Sequence, residues 1–481
     1  MIPEASLPDP AEIRIVGGSF RDPSGYVFRA GDHVFRTVNP SAESDFASLE
    51  RSGLLKRLAE AGLALPATPV ALPAGMEHAF AGLRGELPAR LIEHPLVPFI
   101  TYPYEWCFSQ LRDAALAHLE LQIEALAHGF ALSDATPYNM QFHEGRPVHI
   151  DILSLRPYRD GELWQGYNQF CRMFLAPLLV EAWTGASFQP LLRGRIDAPP
   201  LAEMSKLLPR RKQFTSPQGF LHIYLQGKAE AKSSSSRIGD GDAPRRSLPR
   251  ASYLALLKEL HRFVAALHSA KRPKSFWKDY AEINSYSAAL RADKAALVAG
   301  FVKRTGIHSL VDIGGNTGDY AATALDAGVE RAIVLDGDTD SIEVAYARAK
   351  AGLRGLSAWL VDVADPSPGL GWGGREREPL TDRLRVDGVL ALAVIHHMCI
   401  GRNIPLRDAA RWLAGLAPRG IIEFVPKSDP MVRAMLSGRD DRFGDYDLDH
   451  FLAYLGGQAE IVASTRIEGS ERVFVEYGPA A

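Results

Sequence analysis

Cysteine is scarce in this chain, and no two cysteines are close in sequence. Cys107, Cys171 and Cys399 are the only cysteines among 481 residues, and none belongs to a C-x-x-C pair. This spacing argues against a disulfide framework and against a zinc ribbon, so we predict no metal site from cysteine. It fits a reducing compartment, which favours the cytoplasm.

Long apolar runs, a leader pattern and a strong net charge are also missing. The sequence has no run of about 18 apolar residues, so we expect no membrane span and no membrane partner. Its N-terminus lacks a basic segment followed by an apolar one, which argues against a secretory signal. The formal net charge of −3 argues against a nucleic-acid-binding surface over the whole chain.

One segment has the composition of a linker. Residues 228–250 are rich in serine, glycine, proline and charge and contain few large apolar side chains. Such a segment cannot bury enough apolar surface to offset the entropy of ordering it. The sequence therefore predicts a domain at 1–227, a flexible linker at 228–250 and a second domain at 251–481.

The two predicted domains differ in pattern. After the linker, short apolar runs alternate with amphipathic segments, which predicts an α/β domain with a mostly parallel sheet covered on both faces. The last two runs, 459–467 and 471–478, predict a β-hairpin. Before the linker, a hairpin around Gly31 and a helix over 44–63 precede further helices, which predicts an α+β domain.

A glycine-rich turn follows the first predicted strand of the second domain. The stretch LVDIGGNTGDY covers residues 310–320 and has the spacing D-x-G-x-N-x-G. A dinucleotide-binding turn would instead have the spacing G-x-G-x-x-G. A glycine turn without any ligand is the alternative interpretation. The observed spacing resembles the first motif of class I S-adenosylmethionine-dependent methyltransferases.

This resemblance covers about residues 275–480 and implies a Rossmann-like, mostly parallel seven-stranded sheet with S-adenosyl-L-methionine as cofactor. It places Asp336, at the end of the second strand, on the ribose hydroxyls, and Asp362, after the third strand, on the adenine. Trp277 and Tyr280 would close over the cofactor as an aromatic lid, or they pack in the core of a helix. The residues expected to line the cofactor are Asp312, Gly314, Gly315, Asn316, Gly318, Asp336, Gly337, Asp362, Val363, Trp277 and Tyr280.

Candidate catalytic residues follow the fourth and fifth predicted strands. His396 and His397 come just after the fourth strand, where a histidine can act as a general base. Glu423 lies in the fifth strand and would orient a histidine or grip a substrate amine or hydroxyl. A structural role for one histidine is the alternative, and adjacent histidines do not readily chelate a metal from one strand.

The first domain contains Asp134, Asn139 and Asp151, in a predicted order of helix, loop and short strand. Their spacing resembles the catalytic loop and metal-binding aspartate of protein kinases and aminoglycoside phosphotransferases. That resemblance implies ATP and Mg²⁺ as ligands, with Asp134 positioning a hydroxyl and the other two residues holding the metal.

The first domain also departs from the kinase pattern. Leu132 stands where a histidine is usual, and Arg36 is the nearest cation on the strand that normally carries a lysine. Glu43 or Glu50 is its expected helix partner. The turn at 17–28 lacks G-x-G-x-x-G. An active phosphotransferase, a kinase-like domain that binds without transferring, and an unrelated α+β fold remain three alternatives.

The sequence does not identify the methyl acceptor. Basic clusters at 209–214, 244–250 and 271–278 could hold RNA, although charge near linkers is usually only solvated. We expect a cytoplasmic, bacterial methyltransferase acting on a small molecule, a protein or RNA, with the first domain recruiting substrate or nucleotide. The alternatives are a bifunctional methyltransferase and phosphotransferase, and a non-catalytic scaffold that binds the cofactor.

Overall fold

The computed structural model describes residues 13–71, 87–235, 247–270, 288–438 and 440–480. The chain forms two compact units. The first contains Met1–Lys271 and Gly369–Glu378, and the second contains Arg272–Pro368 and Pro379–Ala481. Among the described residues, no helix has the length and apolar character needed to cross a membrane.

The first unit begins with an antiparallel sheet. Five strands pair in the order β1-β2-β3-β5-β4. Phe28 and Phe35 are buried, and their rings stack with centroids 5.3 Å apart. The predicted hairpin around Gly31 is confirmed, since Gly31 has a left-handed φ of 58° between β2 and β3. The strands are β1 (Arg14–Ile15), β2 (Val27–Ala30), β3 (His33–Val38), β4 (Thr68–Val70) and β5 (Arg90–His94).

The rest of the first unit is mainly helical. The helix predicted over 44–63 is broken at Gly53, whose φ of 71° cannot continue a right-handed helix. Two short antiparallel pairs join β6 (Phe130–Leu132) to β9 (Leu155–Pro157) and β7 (Met140–His143) to β8 (Arg146–His149). The α-helices are Glu43–Ser52, Leu54–Glu60, Phe108–Ala127, Tyr167–Phe170, Ala176–Thr184, Gln189–Gly194, Leu201–Leu207, Arg210–Thr215, Gln226–Ser235 and Arg250–Ala265. Strands followed by helices agree with the α+β prediction, whereas the kinase-like identity of this unit stays a prediction.

The helix Arg250–Ala265 belongs to the first unit, although the sequence assigned it to the second domain. Its side chains Tyr253, Leu257 and Leu260 are buried. Gln122, on the helix Phe108–Ala127, donates a hydrogen bond of 2.8 Å to the Tyr253 hydroxyl. The unit boundary therefore falls after residue 271 rather than at 251. Within the predicted linker, residues 228–235 are helical, and residues 236–246 lie outside the described ranges.

The second unit contains the predicted seven-stranded sheet. Its order is β12-β11-β10-β13-β14-β16-β15. Neighbours from β12 to β14 are parallel, whereas β16 is antiparallel to both β14 and β15, as the predicted terminal hairpin requires. Strand β10 is buried at every residue, which explains its nearly continuous apolar sequence. The strands are β10 (Ser309–Ile313), β11 (Arg331–Asp336), β12 (Leu356–Leu360), β13 (Gly388–Ala391), β14 (Arg419–Phe424), β15 (Glu460–Arg466) and β16 (Val473–Gly478).

Helices connect the parallel strands of this sheet. The segment Asp319–Asp326 follows the glycine turn, and its N-cap is Gly318. The helix Thr339–Lys350 is capped by Asp338, whose side chain accepts from the Ser341 backbone N–H. The helices of the second unit are Ala288–Thr305, Asp319–Asp326, Thr339–Lys350, Leu380–Arg383, Leu406–Ala414, Pro430–Leu436 and Leu448–Gly456.

The assignment of the helix Arg250–Ala265 to the first unit predicts the effect of a core truncation. Leu257→Ala removes a fully buried side chain and should lower the free energy of unfolding of the first unit by about 2–5 kcal/mol. Hydrogen exchange of the backbone amides of the helix Phe108–Ala127 measures this effect. Lys258→Ala, at an exposed neighbouring position, is the control and should change little. Faster exchange in strands β10–β14 instead would contradict the assignment.

Candidate functional site

The order of the parallel strands creates a crevice between β10 and β13. The chain leaves the sheet in opposite directions from these two neighbouring strands, and ligands of open α/β sheets bind at such a switch point, beyond the carboxyl ends of the strands. The glycine turn at 314–318 follows β10 and lies at this edge. The segment 392–397 follows β13 and lies at the same edge.

Backbone geometry brings the glycine turn close to the segment that follows β13. Gly314 and Gly318 have φ values of 65° and 81°, and Asn316 has a φ of 50°. A Cβ atom on Gly314 would lie 2.6 Å from Cγ2 of Val394. Ala393 also has a positive φ, of 56°. Left-handed non-glycine residues cost conformational energy and concentrate at functional sites, which marks Asn316 and Ala393 at this crevice.

Asp312 is a buried carboxyl group beneath the glycine turn. It is 1% exposed, and a Cβ atom on Gly315 would lie 2.7 Å from its Oδ2. Burial, followed by the negative charge of Asp336, raises the pKa of Asp312 to about 8. Its Oδ2 is buried and has no hydrogen-bond partner among the residues that the structure describes. A cationic ligand group would relieve both the charge repulsion and the unsatisfied oxygen.

Asp336 connects the end of β11 to the glycine turn. Its Oδ2 accepts from the Asn316 backbone N–H at 2.9 Å, and its Oδ1 accepts from the Asp338 N–H at 2.8 Å. Burial raises its pKa to about 6, against these hydrogen bonds, which lower it. The Gly337 backbone N–H is a third donor to this carboxylate. Of its four lone-pair positions, one therefore remains for a ligand hydroxyl.

Asp362 and Val363 lie just after β12, next to the second-strand loop. The Asp362 Cα would lie 3.7 Å from a Cβ atom on Gly337, which places the two loops in contact. Asp362 forms an ion pair with Arg402, and its side chain is 49% exposed. Val363 is half-buried. Trp277 and Tyr280, the predicted aromatic lid, lie outside the described residues.

The two histidines after β13 are neutral and packed together. The His396 and His397 ring centroids are 4.0 Å apart. Burial lowers the pKa of His397 to about 4, and burial with the neighbouring His397 and Lys294 lowers the pKa of His396 well below its ordinary value. His396 is fully buried, and neither of its ring nitrogens has a hydrogen-bond partner in the described part of the chain.

Glu423 binds two cations rather than a histidine, which corrects its predicted orienting role. It is fully buried and accepts from the Lys294 ammonium at 2.9 and 2.8 Å and from Arg472 at 3.1 Å. Arg472 also donates to Asp429 at 2.7 Å. Sequence reasoning missed Lys294, which lies 129 residues before Glu423. The only signal was a lysine within the amphipathic pattern of its helix.

In the first unit, the four predicted kinase-like residues come together. The Asn139 side-chain amide donates to Asp134 and to Asp151, both at 3.3 Å. Arg36 is buried, with 4% of its surface exposed. Its Nη2 lies 3.0 Å from Oδ1 of Asp151, and it also forms an ion pair with Asp22. Burial, together with the charge of Asp151, raises the pKa of Asp134. Arg36 thus pairs with two carboxylates, and Asn139 links Asp134 to one of them. Among the described residues, no group of three or more histidine, cysteine, aspartate or glutamate side chains has the arrangement of a metal site.

The predicted partners of Arg36 are wrong. Glu43 and Glu50 instead both pair with Arg90, at 2.8 Å each. Arg36 binds Asp22, which lies in the glycine-containing turn before β2, and Asp151. The sequence did not predict that Asp22 lies beside Arg36, because the turn at 17–28 has no recognisable phosphate-binding spacing.

The raised pKa of Asp312 predicts how stability depends on pH. Between its ordinary pKa of 3.8 and the raised value of about 8, the folded chain keeps a proton that the unfolded chain releases. The free energy of unfolding therefore falls as pH rises through this window. Asp312→Asn should melt at a higher temperature than wild type at pH 8, and this gain should shrink toward pH 4. Thermal unfolding at both values measures it, with exposed Asp326→Asn as the control. An equal gain at both values would contradict the burial argument.

Comparisons with known proteins give one close relative and several distant structures. No family model matches the chain. The N-methyltransferase NodS of Bradyrhizobium japonicum WM9 is 10% identical with a TM-score of 0.30, over 40% of this chain and 97% of its own. The bifunctional kinase-methyltransferase WbdD is 14% identical with a TM-score of 0.30, over 45% of each chain. Similarities this low decide neither fold nor function.

The close relative spans nearly the whole chain. Nodulation protein NoeA of Rhizobium meliloti strain 1021 is 40% identical over 474 residues, which are 98% of this chain and 97% of that protein. Identity at this level over both units shows common descent of the full two-unit chain. The chain belongs to the family of the nodulation protein NoeA.

Proposed function

We propose that the second unit is an S-adenosylmethionine-dependent methyltransferase. The observation that carries this proposal is the hydrogen bond between the Asp336 carboxylate and the Asn316 backbone N–H at the sheet's switch point. It joins the two sequence features of the resemblance, the glycine turn and the acidic end of the second strand. The buried Asp312 oxygen beside them, which has no hydrogen-bond partner among the described residues, fits a ligand that carries positive charge.

Each residue would then have a defined task. Asp336 would accept a hydrogen bond from a ribose hydroxyl beside its three backbone donors, and the loop of Asp362 and Val363 would border the adenine. Asp312 and the turn of Gly314 and Gly318 hold the methionine end. The cofactor, when bound, supplies an activated methyl group, so the protein mainly has to align the acceptor and remove its proton.

A neutral imidazole is the group available for proton removal. His396 or His397 is the proposed acceptor of that proton on a ring nitrogen. Burial lowers the pKa of both rings, so they are uncharged at neutral pH but are weak bases in the ligand-free chain. Glu423 is held by Lys294 and Arg472, so it supports the site as part of a buried ion-pair network. The acceptor, whether small molecule, protein or RNA, and the methylated atom are open within this proposal.

A second candidate function concerns the first unit. The convergence of Asp134, Asn139, Asp151 and Arg36 favours a site for Mg²⁺ with a nucleotide, and phosphoryl transfer there would make the chain bifunctional. In this site, Asn139 and Asp151 would supply oxygen ligands, and Asp134 would position an acceptor hydroxyl. A first unit that only recruits substrate, and a chain that binds the cofactor without turnover, are the remaining alternatives.

The methyltransferase proposal predicts the effect of one carboxylate. Asp336→Ala should weaken S-adenosylmethionine binding by about one order of magnitude or more, because each lost charged hydrogen bond contributes roughly 1.5–3 kcal/mol. Calorimetric titration measures the affinity. Asp326→Ala, an exposed aspartate on the helix after the glycine turn, is the matched control and should bind as wild type does. Equal affinities for wild type and Asp336→Ala would refute the assigned ribose contact.

The second candidate function has its own test. Titration of ATP with Mg²⁺ into the wild-type chain should give a binding signal that Asp151→Ala abolishes. Asp160→Ala, at an exposed position of the same unit, should retain the signal. A wild-type chain that binds no nucleotide would leave the first unit with a recruiting role only.

A further inference from the structure

Exposed large apolar side chains are concentrated in one short segment of the first unit. Ten such side chains are exposed among the described residues, and four of them lie within residues 204–229. Each of the four is at least 40% exposed. Single exposed apolar residues are ordinary, whereas a contiguous group of them marks an interaction surface. The four are Leu207, Phe214, Leu221 and Leu225.

The same segment is strongly basic. Residues 204–229 contain five lysines and arginines and no aspartate or glutamate. The two glutamates that border the segment already lie beside other cations, since Glu203 is 3.1 Å from Arg195 and Glu230 is 3.8 Å from Arg172. In the described part of the chain, none of the five cations of the segment forms an ion pair. They are Lys206, Arg210, Arg211, Lys212 and Lys228.

Aromatic ring contacts join two helical elements of this segment. Phe214 belongs to the helix Arg210–Thr215. Its ring centroid lies 5.7 Å from that of Phe220 and 4.8 Å from that of Tyr224. The rings of Phe220 and Tyr224 stack on each other with centroids 5.7 Å apart. The three rings therefore form one continuous apolar cluster, although Phe214 itself is exposed.

Cations lie on both sides of the three rings. Arg210 and Arg211 are four and three positions before Phe214 on the same short helix, so they are its neighbours on the helix surface. Both arginines are exposed. On the other side, the Lys228 ammonium lies 4.6 Å from the centroid of the Tyr224 ring, a cation–π contact. Positive charge therefore borders the apolar cluster.

Two exposed leucines extend the apolar cluster. Leu221 and Leu225 are one turn apart in the π-helix Gly219–Leu225, and each directly follows one of the two ring residues of that helix. His222 and Ile223 are buried, so the same helix has another face that packs inside the unit. The surface is therefore held by a packed helix. We call it the patch, and it consists of Arg210, Arg211, Phe214, Phe220, Leu221, Tyr224, Leu225 and Lys228.

The composition of the patch favours a lipid surface over RNA. Single-stranded nucleic acid binds by stacking its bases on aromatic rings, which exposed leucines cannot do. A bilayer interface takes up leucine and aromatic side chains, while lysine and arginine contact anionic headgroups. The sequence-based expectation of no membrane partner rested on the absence of an apolar run long enough to cross a bilayer. A surface that lies on the bilayer needs no such run.

We propose that the patch binds the first unit to the surface of a bilayer that contains anionic phospholipids. The two leucines and Phe214 enter the headgroup region, and the cations contact lipid phosphates. This association is peripheral and reversible, because it uses a few side chains and no spanning helix. The proposal concerns the first unit alone and does not depend on the methyltransferase function of the second.

Sedimentation of the full-length chain with vesicles tests the electrostatic part. Wild type should bind vesicles of equal parts phosphatidylcholine and phosphatidylglycerol, and binding should weaken as salt screens the charges. The double variant Arg210→Glu with Arg211→Glu should bind these vesicles about tenfold or more weakly. Arg51→Glu with Lys56→Glu makes the same charge change at exposed positions of the same unit and is the matched control. It should bind nearly as wild type does.

One matched pair of leucines tests the apolar part. Leu221 in the patch and Leu163 outside it are both 50% exposed in the same unit. Leu221→Gln should weaken vesicle binding about fivefold, because it removes apolar surface that enters the bilayer. Leu163→Gln should leave binding unchanged. Both side chains are exposed, so thermal unfolding should show wild-type stability for each variant.

Each other result would overturn the proposal. Wild type that does not sediment with the anionic vesicles, or that binds vesicles of phosphatidylcholine alone equally well, refutes it. Equal losses for Leu163→Gln and Leu221→Gln would place the binding outside the patch. A single-stranded RNA that binds through Arg210 and Arg211, without vesicle binding, would make the patch a nucleic-acid surface. A dimer that Leu221→Gln dissociates, with vesicle binding unchanged, would make a second copy of the chain the partner.

Discussion

The burial of carboxylates at the carboxyl ends of parallel strands is the constraint on which the second unit depends. Asp312, near the end of β10, and Glu423, near the end of β14, are almost fully buried. Asp336 is the last residue of β11. The protein satisfies the three groups differently: Glu423 has cations, Asp336 has backbone N–H donors, and one Asp312 oxygen has no hydrogen-bond partner among the described residues. An ionised carboxylate without a partner is expensive to bury, and burial accordingly raises the pKa of Asp312 to about 8. A cationic ligand group beside this oxygen would stabilise its ionised form.

The histidines extend the same reasoning to the fourth strand. Lys294 binds Glu423, and its positive charge is one of the reasons that the pKa of His396 is low. One buried ion pair therefore joins the fifth strand to the helix Ala288–Thr305, whereas burial is the main reason that the pKa of the neighbouring His396 is low. A neutral ring can accept a proton, whereas an imidazolium cannot, and this is the state that methyl transfer to a protonated acceptor requires.

The sequence predicted elements whose signal is local. The alternation of apolar runs and the D-x-G-x-N-x-G turn led to the seven-stranded sheet and to the placement of Asp312 and Asp336 at one edge. Sequence-based prediction failed where contacts between distant parts of the chain determine the unit assignment of a helix or the partner of an ion pair. The helix Arg250–Ala265 has an amphipathic pattern that does not reveal which unit its apolar face packs on. Arg36 pairs with Asp22 rather than with Glu43. Lys294 binds Glu423 from a helix that is distant in sequence. No pattern of sequence spacing predicts either pairing.

The measurement that tests the account most directly is a crystal structure of the full-length chain with S-adenosylhomocysteine. The account predicts density at the switch point between β10 and β13, with a ribose hydroxyl on Asp336 and the amino-acid end of the ligand beside Asp312. Ligand bound elsewhere, or a switch point that stays empty at saturating S-adenosylhomocysteine, would contradict the methyltransferase assignment.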